Sequence, residues 1–279
     1  GRTFALSRCL DFLRLQRAHG HNLLMIHGSS GCGKSSLVRA ALLPMLCENS
    51  LYENVSLWDY VIIEFNTKEI TWQEQVRQAI SEKLDEPVKS TTTEISNNEI
   101  DHWLMDTAYA NGTGKNQCGL IFFFDQLESF FSQESEVEQR HYFDEFLMEI
   151  SSRPNIIVIA TMRSDFLPAL NSLPCFQEET RSHGLFQLVA PNEYELNEII
   201  RYPAVAAGLS FEDDPETGSG LEQSLCREAI NSPEGLPLLE FLLSELYALA
   251  RADGLITWDE YKRLGGIAGA LSRKAEQTL

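Results

Sequence analysis

The sequence predicts an α/β fold: a parallel five-stranded sheet flanked by helices, followed by a small all-α bundle. Two observations predict it. Short apolar runs alternate with helical periods from about residue 20 to 190, and parallel neighbours need a crossover element of that kind. One of those runs leads directly into Gly28-Ser29-Ser30-Gly31-Cys32-Gly33-Lys34-Ser35, which satisfies G-x-x-x-x-G-K-[ST] at every fixed position.

Phe4, Leu6, Leu10, Leu13 and Leu15 give an opening helix over 3–19, stopped by Gly20. Asn22 to Ile26 is too short and apolar for a helix and reads as a buried strand, with the next helix from about Gly33 to Cys47. Tyr60 to Phe65 is a second strand. The helix after it, Thr71 to Leu84, opens on a capping box of Thr71 and Glu74. Glu86 to Asn98 is polar and Thr-rich, a surface loop. A helix from Glu99 to Ala110 ends at Asn111-Gly112-Thr113-Gly114, and Leu120 to Phe124 forms a third strand, apolar throughout and therefore covered on both faces. A helix from Val137 to Ser151, a fourth strand from Ile156 to Thr161 and a weaker fifth from Leu185 to Val189 complete this part. The strand pattern then disappears. Helices are expected at 193–206, 219–231 and 236–251, broken by Glu212-Asp213-Asp214-Pro215 and by Ser232-Pro233, with a boundary near Pro191.

Hydrophobic residues make up 43% and charged residues 23%, which is ordinary globular usage. Lys+Arg 22 against Asp+Glu 41 gives a formal net charge of −19. A field of that sign repels phosphodiester backbones and anionic lipid heads, so neither a direct nucleic-acid partner nor a membrane is expected. Six cysteines lie scattered without metal-ligand spacing and read as reduced thiols. The reduced thiols point to a cytoplasmic protein, and residues 1–20 carry no secretory pattern. The opening Gly1-Arg2-Thr3 lacks Met and reads as the start of an excised segment. The aromatic stretches Phe122 to Phe131 and Tyr142 to Phe146 suit core packing, with a partner groove as the alternative; the acidic stretches 134–138 and 212–216 read as solvated.

The chemistry concentrates on the glycine-rich loop. Gly28, Gly31 and Gly33 let backbone N–H groups, including those of Ser29, Ser30 and Cys32, curl around phosphate oxygens, and the following helix start, with Ser36, adds a positive field. Lys34 reaches the outer phosphates and Ser35 ligates Mg²⁺. Asp125 ends the run Ile121-Phe122-Phe123-Phe124, where a rigid strand delivers a Walker B carboxylate to Mg²⁺; a strand-end capping Asp is the plain alternative. Glu128, three residues on, is either a water-orienting base or a solvated helix-start carboxylate. Gln126 stands where many P-loop ATPases of the additional-strand class carry their catalytic Glu, so hydrolysis is expected to be slow. Arg163, after the fourth strand, is either a γ-phosphate sensor or a surface partner of Asp165, and Thr161 is a candidate neutral sensor. His27 reads as a packed strand-end residue.

Four passages together resemble the novel STAND NTPase 1 branch of signal-transducing P-loop NTPases. They are GSSGCGKSSL from Gly28, FFFDQLESFF from Phe122, MRSDF from Met162, and GLPLLEFLLSEL from Gly235 with YKRLGGIAGALSRKAE from Tyr261. The resemblance implies an ASCE-type core of strand order 5-1-4-3-2 over 1–190, a helical bundle over 191–264 and the start of a winged helix over 265–279. It implies that Gly1-Arg2 contacts the nucleotide base and that Pro237 of Gly235-Leu236-Pro237 packs on adenine. By itself that tripeptide is a helix-start turn. The family implies an ATP/ADP switch that homo-oligomerises in the ATP state, with a C-terminal sensor region and an effector domain or protein as partners. The alternatives are an active ATPase motor, a small-molecule kinase and a scaffold that binds nucleotide structurally.

Overall fold

In the computed structural model, which describes residues 2–48, 55, 57–65, 69–84, 94–112, 118–133, 137–174, 184–214, 218–232, 235–250 and 254–278, the chain divides into two units. Gly1, Thr113-Gly114, Cys175, Pro215, Pro233, residues 134–136 and most of the Thr-rich stretch lie outside the described residues. The first unit comprises Phe4–Ser29 and Lys34–Leu188. Its sheet consists of β1 (Leu23–Gly28), β2 (Leu57–Glu64), β3 (Cys118–Asp125), β4 (Ile156–Arg163) and β5 (Leu185–Gln187), in the order β2-β3-β4-β1-β5. Every pairing is parallel. Read from the other edge, this is the expected 5-1-4-3-2.

The sequence runs explain who is central. β3 is buried at every position and β4 at all but its last, whereas β2, at an edge, alternates between buried and half-exposed residues. Such uniformly apolar strands require helices on both faces. These include α1 (Thr3–Ala18), α4 (Trp72–Leu84), α5 (Asn97–Ala110), α6 (Glu128–Gln133) and α7 (Val137–Ser152). The aromatic stretches turn inward: Phe122, Phe124, Phe130, Phe143 and Phe146 join Phe65 and Trp72 in one buried cluster. Phe143 meets Phe130 at 4.2 Å and Trp72 at 5.1 Å between centroids. Core packing, not a partner groove, accounts for these side chains. The capping box at Thr71 is present, with Glu74 N–H donating to Thr71 Oγ1 at 3.3 Å and Thr71 N–H to Glu74 Oε2 at 2.8 Å.

One expected helix is interrupted. After the loop, α2 (Lys34–Leu37) passes through a π-helical turn, Val38–Leu42, into α3 (Leu43–Glu48). Pro44 has no N–H to donate to Ala40 and its ring would crowd that carbonyl. Widening the preceding turn, where Leu43 N–H donates to Val38 O instead, relieves the conflict. A 3₁₀ segment, Ser164–Ser172 with Pro168 inside it, follows β4 and was not legible as helical periodicity.

The second unit comprises residues 2–3, Ser30–Gly33 and Val189–Leu279. Its helices are α8 (Glu193–Ala206), α9 (Leu221–Asn231), α10 (Gly235–Leu249), α11 (Trp258–Leu264) and α12 (Gly266–Thr278). Leu238, Leu239, Leu242, Leu243 and Leu246 bury the apolar face of α10 against Leu196, Ile200, Leu225 and Tyr261. Contrary to the strandless reading of this part, a two-stranded parallel ladder pairs β6 (Ser210–Phe211) with β7 (Leu255–Ile256). Two residues per strand are too few to show alternation. Among the described residues no helix is long and apolar enough to cross a membrane, and Cys9, Cys32, Cys47, Cys118 and Cys226 are free thiols.

Candidate functional site

β1 ends at Gly28, and the chain turns through Gly31 at φ +70° and Gly33 at φ +89° before α2 begins at Lys34. Both angles lie in the left-handed region that L side chains avoid, so glycine is required at these two positions. Ser29, Ser30 and Ser36 are exposed, while Cys32 is buried. Lys34 is only 8% exposed. Its Nζ donates to Gly28 O at 3.2 Å and Ser29 O at 2.8 Å, and among the described residues it has no carboxylate partner. A buried ammonium that caps loop carbonyls and has no ion-pair partner among the described residues fits an anionic ligand such as a phosphate chain.

Asp125, at the end of β3, is 2% exposed and fully engaged. Its Oδ1 accepts from Ser35 Oγ and from Thr161 Oγ1, each at 2.6 Å. Its Oδ2 accepts from Arg39 Nε at 3.0 Å and Nη2 at 2.8 Å. Thr161, fully buried on β4, also accepts from Gln126 N–H at 3.0 Å through Oγ1, and its carbonyl accepts from Leu127 N–H at 2.8 Å. The tips of β3 and β4 are thereby tied together. Gln126 adopts φ +55°, the one positive value at a non-glycine among the described residues. Gln126 and Leu127, whose N–H groups make these two hydrogen bonds, form the bridge to α6. Among the described residues no group of three or more His, Cys, Asp or Glu side chains gathers to hold a metal. Ser35 and Asp125 instead provide one hydroxyl and one carboxylate, a donor set suited to Mg²⁺, which keeps several waters and binds phosphate oxygens.

The other expected residues lie at the same strand ends. Glu128 Oε2 accepts from the backbone N–H of Arg163 at 3.2 Å, which ties α6 to the tip of β4. The Arg163 guanidinium is exposed and forks onto Asp165, with Nε to Oδ1 at 3.1 Å and Nη2 to Oδ2 at 2.7 Å. Those bonds raise its pKa above the ordinary arginine value. Arg163 thus makes the surface pair with Asp165. His27 Nδ1 meets Ser164 Oγ at 3.0 Å. Burial, with the nearby charge of Lys34, holds the imidazole below its ordinary pKa.

Within the second unit, Arg2 Nη2 donates to Cys32 O at 2.7 Å and to Val189 O at 3.0 Å, and Nη1 pairs with Glu195 at 3.6 Å. A Cβ on Gly31 would fall 2.7 Å from Pro237 Cγ. The structure thus brings Arg2 and Pro237 to residues 30–33 of the loop. Sequence reasoning missed Arg39, which binds Asp125 and also pairs with Glu64. A signal existed: Arg39 follows Ser35 by four residues and so shares its helical face. Glu64 carried none, because its place beside Asp125 comes from strand register.

No curated protein matches this chain significantly. Among solved structures, it is similar to a Walker-type ATPase of Pyrococcus abyssi at 16% identity and TM-score 0.53, covering 97% of this chain and 71% of that one. The ORC2 protein of Aeropyrum pernix, in ADPNP and ADP complexes, aligns at 16% identity and TM-score 0.62 over 98% of this chain and 68% of its own. The ORC1 protein of the same organism, in complex with DNA, aligns at 15% and 0.58 over 98% and 65%. At such identities the likeness is one of fold, and the chain spans 65 to 71% of the length of these three proteins. The family whose sequence model matches, over residues 1–279, is Novel STAND NTPase 1. Matched along its whole length and built on a five-stranded parallel sheet of order β2-β3-β4-β1-β5, the chain belongs to that family of P-loop NTPases.

Proposed function

We propose that this chain is the nucleotide-operated switch of a larger signalling or defence protein, binding ATP and ADP with Mg²⁺ and hydrolysing ATP slowly. The observation that carries the reading is the buried Lys34 ammonium capping the loop, one residue before a Ser35 hydroxyl held 2.6 Å from Asp125. In the proposal Lys34 leaves the carbonyls of Gly28 and Ser29 for the outer phosphates, and the loop N–H groups of residues 29–33 hold the inner ones. Ser35 and Asp125 hold Mg²⁺, which when bound would neutralise phosphate charge. Arg2 and Pro237 are the base contacts that the family resemblance implies.

Slow hydrolysis follows from the residues available as a base. Gln126 follows Asp125 and its amide cannot take a proton at neutral pH. Glu128 is the candidate base, and its carboxylate already accepts the Arg163 N–H. Arg163 reports the γ-phosphate by exchanging Asp165 for it, so ATP and ADP bias different states. The ATP state oligomerises, and a sensor region and effector outside this chain, in the cytoplasm, complete the switch. A net charge of −19 disfavours direct contact with nucleic acid or an anionic membrane. The domain division of the proposal is a nucleotide-binding domain over 1–190, a helical bundle over 191–264 and the start of a winged helix from 265.

The test is to denature the purified chain and identify released nucleotide by chromatography, with Lys34→Ala alongside. ADP stoichiometric with the wild type and missing from the variant is the expected result. A wild type that neither retains nor takes up nucleotide overturns the proposal. Turnover above about one ATP per second, within the usual enzyme range, would favour a motor or kinase instead.

A further inference from the structure

Arg39 lies outside the nucleotide motifs yet touches the metal-side carboxylate twice, at 3.0 Å from Nε and 2.8 Å from Nη2 to Asp125 Oδ2. Its Nη2 also donates to Glu64. Glu64 and Asp125 are register partners at the ends of β2 and β3, so the fold sets two carboxylates side by side, where like charges repel. Arg39 is their shared counter-cation, and these partners raise its pKa further against the desolvation that lowers it.

We propose that Arg39, acting through Asp125, sets the site's affinity for a divalent cation, occupying Asp125 Oδ2 until the cation arrives and then yielding it. The inference rests on the Mg²⁺–nucleotide reading of the site. Asp125 does not depend on Arg39 for its orientation, because Ser35 and Thr161 hold Oδ1 at 2.6 Å each. Removing the guanidinium therefore chiefly removes a positive charge that opposes the metal. Arg39 also has room to withdraw while keeping Glu64. Both side chains are partly exposed, at 41% and 49%, and they border an open recess of about 310 Å³ lined also by Ile62, Ile70, Gln75, Gln78, Ala79 and Glu82, whose carboxylate suits a withdrawn guanidinium. For a divalent cation about 6 Å from the unit charge of the partly exposed Arg39, Coulomb's law with near-aqueous screening gives an effect of about tenfold in affinity.

The experiment counts bound Mn²⁺ by EPR on the 279-residue chain, with and without saturating fluorescent ADP, for wild type, Arg39→Gln, Arg39→Lys and Glu64→Gln. Arg39→Gln is expected to lower half-saturating Mn²⁺ by about tenfold and Arg39→Lys to stay near wild type. Glu64→Gln, which turns the whole charge of Arg39 on Asp125, is expected to raise it. An unchanged or weakened affinity in Arg39→Gln overturns the proposal, as does an Arg39→Lys shift as large as that of Arg39→Gln. Should Arg39→Gln fail to fold, Arg39→Lys and Glu64→Gln decide: a Glu64→Gln that tightens Mn²⁺ overturns it. If the wild type binds no ADP while the Mn²⁺ order holds, the switch reading fails and the role of Arg39 stands. If ADP binds and Mn²⁺ affinity is the same in all four proteins, the reverse is true.

Discussion

Thr161 is the side chain through which β3 and β4 share one hydrogen-bond system, donating to Asp125 and accepting from Gln126 N–H. Thr161→Val keeps the shape and removes both bonds. We expect a loss of about 1–3 kcal/mol, since a buried network loses its central member, read as a lower denaturation midpoint, together with weaker Mg²⁺-dependent ADP binding. A variant as stable as wild type would show that the two bonds are replaceable. His27 offers a pH readout at the same strand ends. Burial first, then the charge of Lys34, favours its neutral form in the fold. Its contribution to stability is therefore present above the ordinary histidine pKa of about 6.5 and is lost as pH falls from there through the depressed folded value. An NMR titration of the imidazole should give a pKa below 6.5 in wild type and a higher one in Lys34→Ala. Equal values in the two proteins would remove Lys34 as a cause. The places of Lys34, Ser35 and Asp125 at the start of α2 and the end of β3 were legible in the sequence, because fixed spacing and a strand end define them. Arg39 carried only its spacing from Ser35, and Glu64 carried no signal, because it meets Asp125 through the pairing of β2 with β3.

At the scale of elements, helix periodicity and strand composition located the five sheet strands within about two or three residues at most ends. What escaped was brief or interrupted: the π turn Val38–Leu42, the 3₁₀ segment Ser164–Ser172, and the ladder of β6 and β7. In each case too few residues repeat for a period to emerge. The aromatic cluster on α7 and β3 is where element packing is most sensitive. Phe143 is fully buried among Phe65, Trp72, Phe124 and Phe130. Phe143→Ala should cost about 3–5 kcal/mol in denaturant unfolding. Tyr109→Ala, at 89% exposed, should stay within about 0.5 kcal/mol of wild type. Equal effects from the two substitutions would contradict the packing described.

For the whole molecule, nucleotide binding is linked to stability, because a ligand bound only by the native state stabilises it by mass action. MgADP at about a hundred times its Kd should raise Tm by about 5–10 °C, and Lys34→Ala should abolish the rise. A rise that persists in the variant would place the nucleotide elsewhere. The sequence by itself determined the α/β class, the glycine turn between β1 and α2, the carboxylate at the end of β3 and the change to helices after the sheet, because each depends on neighbours within one turn, one strand or one fixed spacing. Only the tertiary structure decided that Arg39 holds Asp125, that Glu64 stands beside it, that Arg163 pairs with Asp165, and that residues 30–33 keep company with Arg2 and Pro237. Among these, the contacts of Arg39 and Glu64 with Asp125 and those of the loop join distant segments, which meet only when burial of the apolar strands and helices sets register and packing, and that register is a property of the whole fold rather than of any local pattern.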